Sequence, residues 1–500
     1  MTGFNGHLRV AVIGSGFSGL GLAIRMRQEG IEDFLIFERA DAIGGTWRDN
    51  TYPGCACDVM SLLYSYSFAP NPHWKTTFGK QREILDYLEH CADRFGVRPH
   101  LRLGHELLAA RWDRLTRRWH LETSKGSWTA QVLVSGTGYL SDPAIPELPG
   151  LDTFGGRMFH SAHWDHDYDL KGKRVAVIGT GASAIQFVPE IQKVAGHLDV
   201  YQRSAPWVGP KPNKEISAAE HKRRTSLPGY QSFRRNFNKH GREIVAFLMN
   251  RPAVAAKTIQ GMAQKNLDQQ VKDPALRARL TPDYAVGCKR LLFSNTWYPA
   301  IQQPNVELVT DRIAAVGPDS VTTADGRERK VDAIIFGTGF RATDRPIAQR
   351  IEGRDGVRLS DAWRDGMSAY RGTTVSGFPN LFLMLGPNTA LGHSSQTVMI
   401  EAQIAYVIDA LKQIEKRDLA SVEIGADAQR AYNAELDGRL AGTVWNAGNC
   451  RSWYLDASGR NPSIWPTYTW RFRRQTQRFD LGSYQVATST GATRLLETTA

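Results

Sequence analysis

The chain has 500 residues, 42% hydrophobic and 22% charged, with a formal net charge of +12. That is length for about three domains, and the hydrophobic share excludes a disordered protein. No apolar run approaches the roughly 20 residues of a membrane-spanning helix, no secretory signal opens the chain, and five cysteines, an odd number, argue against a disulfide framework and for a reducing, cytoplasmic setting.

A strand is expected over residues 9–13. Gly14-Ser15-Gly16-Phe17-Ser18-Gly19 follows directly, and Leu22, Ala23 and Met26 then recur at helical spacing. A second strand, 34–37, ends at Glu38, 24 residues after Gly14. This is a βαβ unit with GxGxxG at its strand-to-helix turn. Glycines there admit a pyrophosphate to the helix N-terminus, and the terminal acid suits free ribose hydroxyls. Gly14, Gly16, Phe17, Gly19 and Glu38 are therefore candidate contacts for FAD or NAD.

The pattern recurs. A strand at 174–178 runs into Gly179-Thr180-Gly181-Ala182-Ser183-Ala184, a helix follows through Ile185, Val188 and Ile191, and a strand at 198–201 leads to Arg203. Gly179 to Arg203 is again 24 residues, with the sign of the terminal charge reversed. A guanidinium suits a 2′-phosphate, so Gly179, Thr180, Gly181, Ala182, Ser183 and Arg203 point to NADP. The plainer reading of Arg203 is a surface cation at a strand end. Each unit closes with an apolar strand entering Gly-Thr-Gly, at 132–138 and 333–339. One acidic and one basic nucleotide unit describe a flavoprotein reduced by NADPH.

The expected fold is α/β, with two Rossmann-like dinucleotide-binding domains. Residues 1–148 and 345–500 form the discontinuous FAD-binding domain, and 149–344 the NADP-binding domain. Within the latter lies a basic insertion, about 211–288, helical at 244–249 and 254–265. Residues 211–290 hold 17 Lys and Arg against 6 Asp and Glu, nearly all the excess charge. Such a block suits nucleic acid, an anionic membrane surface or an anionic cofactor, or is simply a solvated helical face. No zinc-finger spacing accompanies it, and Tyr230, Phe233 and Phe237 form no RNA-stacking motif, so nucleic acid is not an expected partner. Beyond residue 345 a strand is expected at 380–385 and a long helix at 396–412, whose start at Gln396 faces the flavin. The tail after Trp445 reads as loop.

Two longer motifs remain. One is Gly44-Gly45-Thr46-Trp47, four residues, Tyr52-Pro53-Gly54, three residues, Asp58. The other reads F-x-G-x-x-x-H-x-x-x-W-D, from Phe154 through His160 and Trp164 to Asp165. With the paired nucleotide units, these resemble the type I Baeyer–Villiger monooxygenases, relatives of the flavin-containing monooxygenases. Both motifs match at every fixed position, and the resemblance extends from about residue 9 to 340, more loosely to about 474.

The resemblance implies conversion of a small-molecule ketone to an ester or lactone with FAD, NADPH and O2, through a flavin C4a-peroxide. It implies Asp58 as the acid beside the flavin and Arg290, in Cys288-Lys289-Arg290, as the arginine over the flavin face. Lys289 and Ser204 would join Arg203 on the 2′-phosphate. Thr46, Trp47 and Tyr64 would touch the flavin, and Trp453, in Ser452-Trp453-Tyr454, the nicotinamide nucleotide. The chemistry needs these types: a peroxide anion and the later oxyanion are stabilised by a fixed cation, and arginine stays charged at any working pH. The plainer readings are a loop-capping Asp58 and an Arg290 that merely belongs to the basic stretch. Known members carry Pro-Gly-Lys shortly after Ser-Trp, where residues 456–466 read differently, marking a subgroup.

His160 reads as a linker anchor. Cys55-Ala56-Cys57 is poorly spaced for a disulfide, and His160, His163 and His166 lie in a linker without helical periodicity, so no metal is expected. An N- or S-oxidising flavin monooxygenase is the alternative activity, opposed by Trp164, Asp165 and Arg290. A pyridine-nucleotide disulfide reductase would need a CxxC or CxxxxC, which the chain lacks. A basic membrane-surface or nucleic-acid binder is the non-enzymatic reading.

Overall fold

The computed structural model describes residues 4–450, 452–488 and 493–495. Strand β1 (Phe4–Ile13) feeds helix α1 (Phe17–Gln28), which returns to β2 (Phe34–Glu38). The apolar positions explain the unit: Val10 and Val12 of β1 and Leu20, Leu22, Ala23 and Ile24 of α1 are wholly buried against one another. Strands β3 (Leu101–Leu103), β4 (Leu107–Asp113), β5 (Arg118–Thr123) and β6 (Gly126–Ser135) follow.

The chain then crosses to a second sheet. Strand β7 (Arg157–His160) precedes the second βαβ unit, made of β8 (Arg174–Ile178), α2 (Ala184–Ile191) and β9 (His197–Tyr201). Helices now occupy the basic stretch: Ala218–Ser226, the 20-residue α3 (Tyr230–Met249), Gly261–Gln270 and Pro274–Leu280. Strands β10 (Val306–Val309) and β11 (Ala333–Phe336) complete this sheet in the order β10-β9-β8-β11-β7, every pair parallel. Helices cover parallel sheets on both faces, so their central strands run uninterrupted in apolar residues; Val175, Ala176, Val177, Ala333, Ile334 and Ile335 are all fully buried.

After residue 345 the chain rejoins the first sheet. Strand β12 (Ile351–Glu352) pairs with β4, and β13 (Leu381–Leu383) lies parallel to residues 133–135 of β6. The first sheet runs β12-β4-β5-β6-β1-β2-β3, with β13 added on β6. The outgoing and returning crossings touch: Ala144 N–H donates to Gly339 O and Arg341 N–H to Asp142 O, both at 2.9 Å. Helix α4 (Gln396–Lys416) packs on α1. Strand β14 (Leu419–Ile424), helix α5 (Thr469–Gln475) and strand β15 (Tyr484–Thr488) follow.

Two expectations are corrected. The tail is more than loop, because α5 sets Phe472 against Trp465, and β15 pairs antiparallel with β14. The cysteine count misled in one respect: Cys288 and Cys450 are disulfide-bonded across 162 residues, while Cys55, Cys57 and Cys91 are free and buried. A lone cross-link needs no even count, and only the folding-back of the tail brings these two together. Among the described residues no helix is long and apolar enough to cross a membrane.

Candidate functional site

A cleft opens at the C-terminal ends of β1 and β6, lined by Gly14, Gly16, Phe17, Glu38, Thr46, Trp47, Tyr64 and Gln396. Ligands of open α/β sheets bind in this crevice. Gly14 has φ +97°, and a Cβ there would lie 2.9 Å from Gly136 O. The second unit repeats the device: Gly179 has φ +103° and would set a Cβ 2.6 Å from Gly337 O. Each Gly-Thr-Gly thus presses against the first glycine of its own turn. Gly19 packs behind the first turn rather than lining the cleft.

The cleft fits FAD. Gly16 and Gly45 face each other, and a Cβ on Gly45 would come within 3.2 Å of Gly16 Cα, so bare backbone is presented where a pyrophosphate would rest. Glu38 is buried. Its carboxylate accepts from Ser15 N–H at 3.0 Å, Ser15 Oγ at 2.7 Å and Ala40 N–H at 3.0 Å, and pairs with Arg48 at 3.0 Å. Burial alone would raise its pKa, but Arg48 and these donors outweigh it and hold the group below the ordinary carboxylate range. Trp47 Nε1 donates to Tyr64 OH at 3.0 Å, and Phe17 meets Tyr64 edge-on at 5.1 Å, making an aromatic wall. Helix α4 starts at the cleft; with the Gln396 amide assigned so that its oxygen faces the two donors, it accepts from Tyr139 OH at 3.1 Å and from Leu391 N–H at 2.7 Å. Sequence reasoning missed Arg48 and Tyr139; the position of Tyr139 directly after Gly-Thr-Gly is the signal that could have found it.

At the second turn Gly179, Thr180, Gly181, Ala182 and Ser183 link β8 to α2. Arg203 is exposed at the end of β9, and Lys289 Nζ donates to Ser204 Oγ. Lys289 is lowered from its ordinary pKa by burial and then by the charge of Arg203. The fold therefore gathers two cations and a hydroxyl from residues 203, 204 and 289, and among the described residues neither cation forms an ion pair.

Asp58 and Arg290 form a two-pronged ion pair: Nε to Oδ2 at 2.9 Å and Nη2 to Oδ1 at 3.0 Å. Burial pushes the Asp58 carboxyl up, but Arg290, helped by Lys211 and Arg242, holds it below the usual range. The Asp58 charge in turn raises Arg290 against the effect of burial. Arg290 Nη1 also reaches Leu391 O at 3.4 Å, and Tyr454 and the cleft residue Tyr139 lie in its field. Lys211 and Arg242 were not singled out, because nothing in a basic block tells which cations turn inward. Trp453 stacks on Tyr139 at 5.8 Å, and Tyr454 is buried beside it.

His160 is buried at the junction. Its Nδ1 accepts from Ala162 N–H at 3.1 Å, its ring meets Phe340 edge-on at 5.6 Å, and burial lowers its pKa to about 4. His166 hydrogen-bonds with Thr51 Oγ1 at 2.7 Å. Among the described residues the one group close enough to share a metal ion is His197, Asp199 and Glu307, where Arg329 already pairs with both carboxylates.

Two βαβ units with glycine turns, one ending in an acid and one in a cation, suit a flavoprotein oxidoreductase reduced by NADPH. The comparisons narrow the class. The family described as "Flavin-binding monooxygenase-like" matches residues 7–218. A Baeyer–Villiger monooxygenase of Streptomyces coelicolor is 52% identical over 481 residues, 96% of this chain and 93% of that protein. One from Pseudomonas aeruginosa is 51% identical over 488 residues, 97% of this chain and 92% of that protein. Cyclohexanone monooxygenase from Rhodococcus sp. Phi1, solved bound to NADP+, superposes with TM-score 0.86 at 27% identity, over 97% of this chain and 99% of that one. The chain belongs to the Baeyer–Villiger monooxygenases, and its cofactors are FAD and NADPH.

Proposed function

We propose that Arg290 and Asp58 carry oxygen insertion beside a ketone carbonyl, giving an ester or lactone. The supporting observation is their two-pronged ion pair, between residues 232 apart in sequence, in the field of the cleft residue Tyr139. Bound FAD supplies the redox chemistry that activates O2. Arg290 keeps its charge at any working pH, and Asp58 fixes the direction in which that charge points. A cation held beside the reacting carbonyl stabilises negative charge as it builds on oxygen, worth far more in a closed site than in water. Tyr139, stacked by Trp453, and the buried Tyr454 lie on this side of the pair.

Arg203, Lys289 and Ser204 are proposed to read the 2′-phosphate through charge-assisted hydrogen bonds. Gly14, Gly16, Glu38, Thr46, Trp47, Tyr64 and Gln396 are proposed to hold FAD. The reading keeps a discontinuous FAD-binding domain, 1–148 and 345–500, around an NADP-binding domain, 149–344. It keeps the protein in the cytoplasm, a setting that suits the three free thiols and leaves the Cys288–Cys450 bond open to reduction.

The test is the Arg290→Ala variant, assayed for NADPH oxidation and product mass across a ketone panel. The variant is expected to bind FAD and to be reduced by NADPH, with ester or lactone yield down by roughly 10² to 10³. Arg290→Lys is not expected to rescue it, because an ammonium lacks the planar fork. Near-normal product from Arg290→Ala would remove Arg290 from the chemistry.

A further inference from the structure

Helix α3 turns an apolar stripe outward. Phe233 and Phe237 are 67% exposed, Ile244 63% and Phe247 41%. They recur at intervals of 4, 7 and 3 residues, one side of a 3.6-residue helix. The opposite side does the packing: Ala246 and Met249 are buried, and Arg235 donates to Leu62 O, Leu63 O and Ser65 O at 2.7–3.1 Å. The exposed phenylalanines are therefore not needed to seat the helix. Large apolar side chains gathered on an exposed face mark a docking surface.

The charge around the stripe has one sign. Lys222, Arg223, Arg234, Arg251 and Lys257 are exposed and, among the described residues, form no salt bridge. Between residues 216 and 267 the acids are Glu220 and Glu243. Glu220 is engaged by Arg224 at 3.0 Å and Tyr230 at 2.7 Å, and Glu243 accepts from Thr469. A second copy of this chain docked face to face would bring like charges together. An anionic lipid surface meets both features, because phenylalanines enter the acyl boundary while Lys and Arg stay among the headgroups.

We infer that α3 and the helix before it dock this enzyme on an anionic lipid surface, lying in the plane of the interface. The opposite side of α3 turns Arg242 toward Asp58, but none of the exposed phenylalanines and cations named here lines the cleft.

The test is sedimentation of the full FAD-loaded chain with vesicles of phosphatidylcholine containing about a third phosphatidylglycerol, against pure phosphatidylcholine, at low and high salt. Pelleting is expected with the anionic vesicles only and is expected to fall at least tenfold at high salt, where charge is screened within a few ångströms. Phe233→Ser with Phe237→Ser, and separately Lys222→Glu, Arg223→Glu and Arg234→Glu combined, are each expected to abolish it while oxidation of a water-soluble ketone continues. Three results overturn the inference. One is no pelleting at low salt, and another is pelleting that survives the phenylalanine pair. The third is gel filtration in which that pair converts a dimer to a monomer, assigning the face to a second copy.

Discussion

Arg203 and Lys289 are like charges held near one another, and such a pair is relieved by an anion between them. Arg203→Ala is expected to raise KM for NADPH much more than for NADH, by the roughly 1.5–3 kcal/mol of a charge-assisted hydrogen bond. Parallel steady-state measurements with both nucleotides check this, and equal losses would mean that Arg203 does not read the phosphate. His160 has a different consequence. Its folded pKa of about 4 lies below the ordinary 6.5, so between these values the unfolded chain binds the proton that the native one refuses. Stability is therefore full above pH 6.5 and is lost as pH falls toward 4, by on the order of 3 kcal/mol. Melting temperatures of wild type and His160→Gln between pH 7 and 4 are expected to converge in acid, because the glutamine variant lacks this titration.

Among the elements, the segment that carries Lys289 and Arg290 and the tail that carries Trp453 are joined by Cys288–Cys450. They also pack closely: Ala285 N–H donates to Gly448 O at 3.2 Å, and a Cβ on Gly448 would lie 2.5 Å from Cys288 Cβ. The tail meets the cleft wall through the stacking of Trp453 on Tyr139, and Trp453 itself is 38% exposed. Reduction is expected to take the titratable thiols from three to five, to speed proteolysis around residue 450, and to raise KM for NADPH. Cys288→Ser is expected to show the same cleavage without reductant. Identical cleavage patterns in oxidised, reduced and variant protein would show that noncovalent packing alone holds the tail.

At the scale of the molecule, the loop that bears Asp58 is docked on the other nucleotide unit. Gln186 of α2 donates to Ala56 O at 3.0 Å and accepts from Ala56 N–H at 3.2 Å and Tyr52 OH at 3.1 Å. Gly54 makes this approach possible: its φ is +80°, and a Cβ would lie 2.7 Å from Gln186 O. Backbone cannot move aside as a flexible side chain can. Gly54→Ala is therefore expected to cost about 1–3 kcal/mol and to lower turnover by displacing Asp58 from Arg290, as read by thermal melts and by NADPH-dependent product formation.

The sequence by itself determined the two nucleotide units, their order and their cofactors. Each rests on a local pattern, an apolar strand, a glycine turn and a charge 24 residues on, whose geometry is set by neighbours in the chain. Asp58, Arg290, Lys289 and Trp453 were legible as family motifs, but the two-pronged geometry that joins Asp58 to Arg290 was not, because it links residues 232 apart in sequence. Tertiary structure alone decided the engagement of Glu38 by Arg48, the turn of Lys211 and Arg242 toward Asp58, the Cys288–Cys450 bond and the exposed phenylalanines of α3. In each case the residue types are ordinary. Which arginine faces inward, and which cysteines lie within a bond length, depends on how helices and tail pack over the two sheets, and no short-range pattern encodes that.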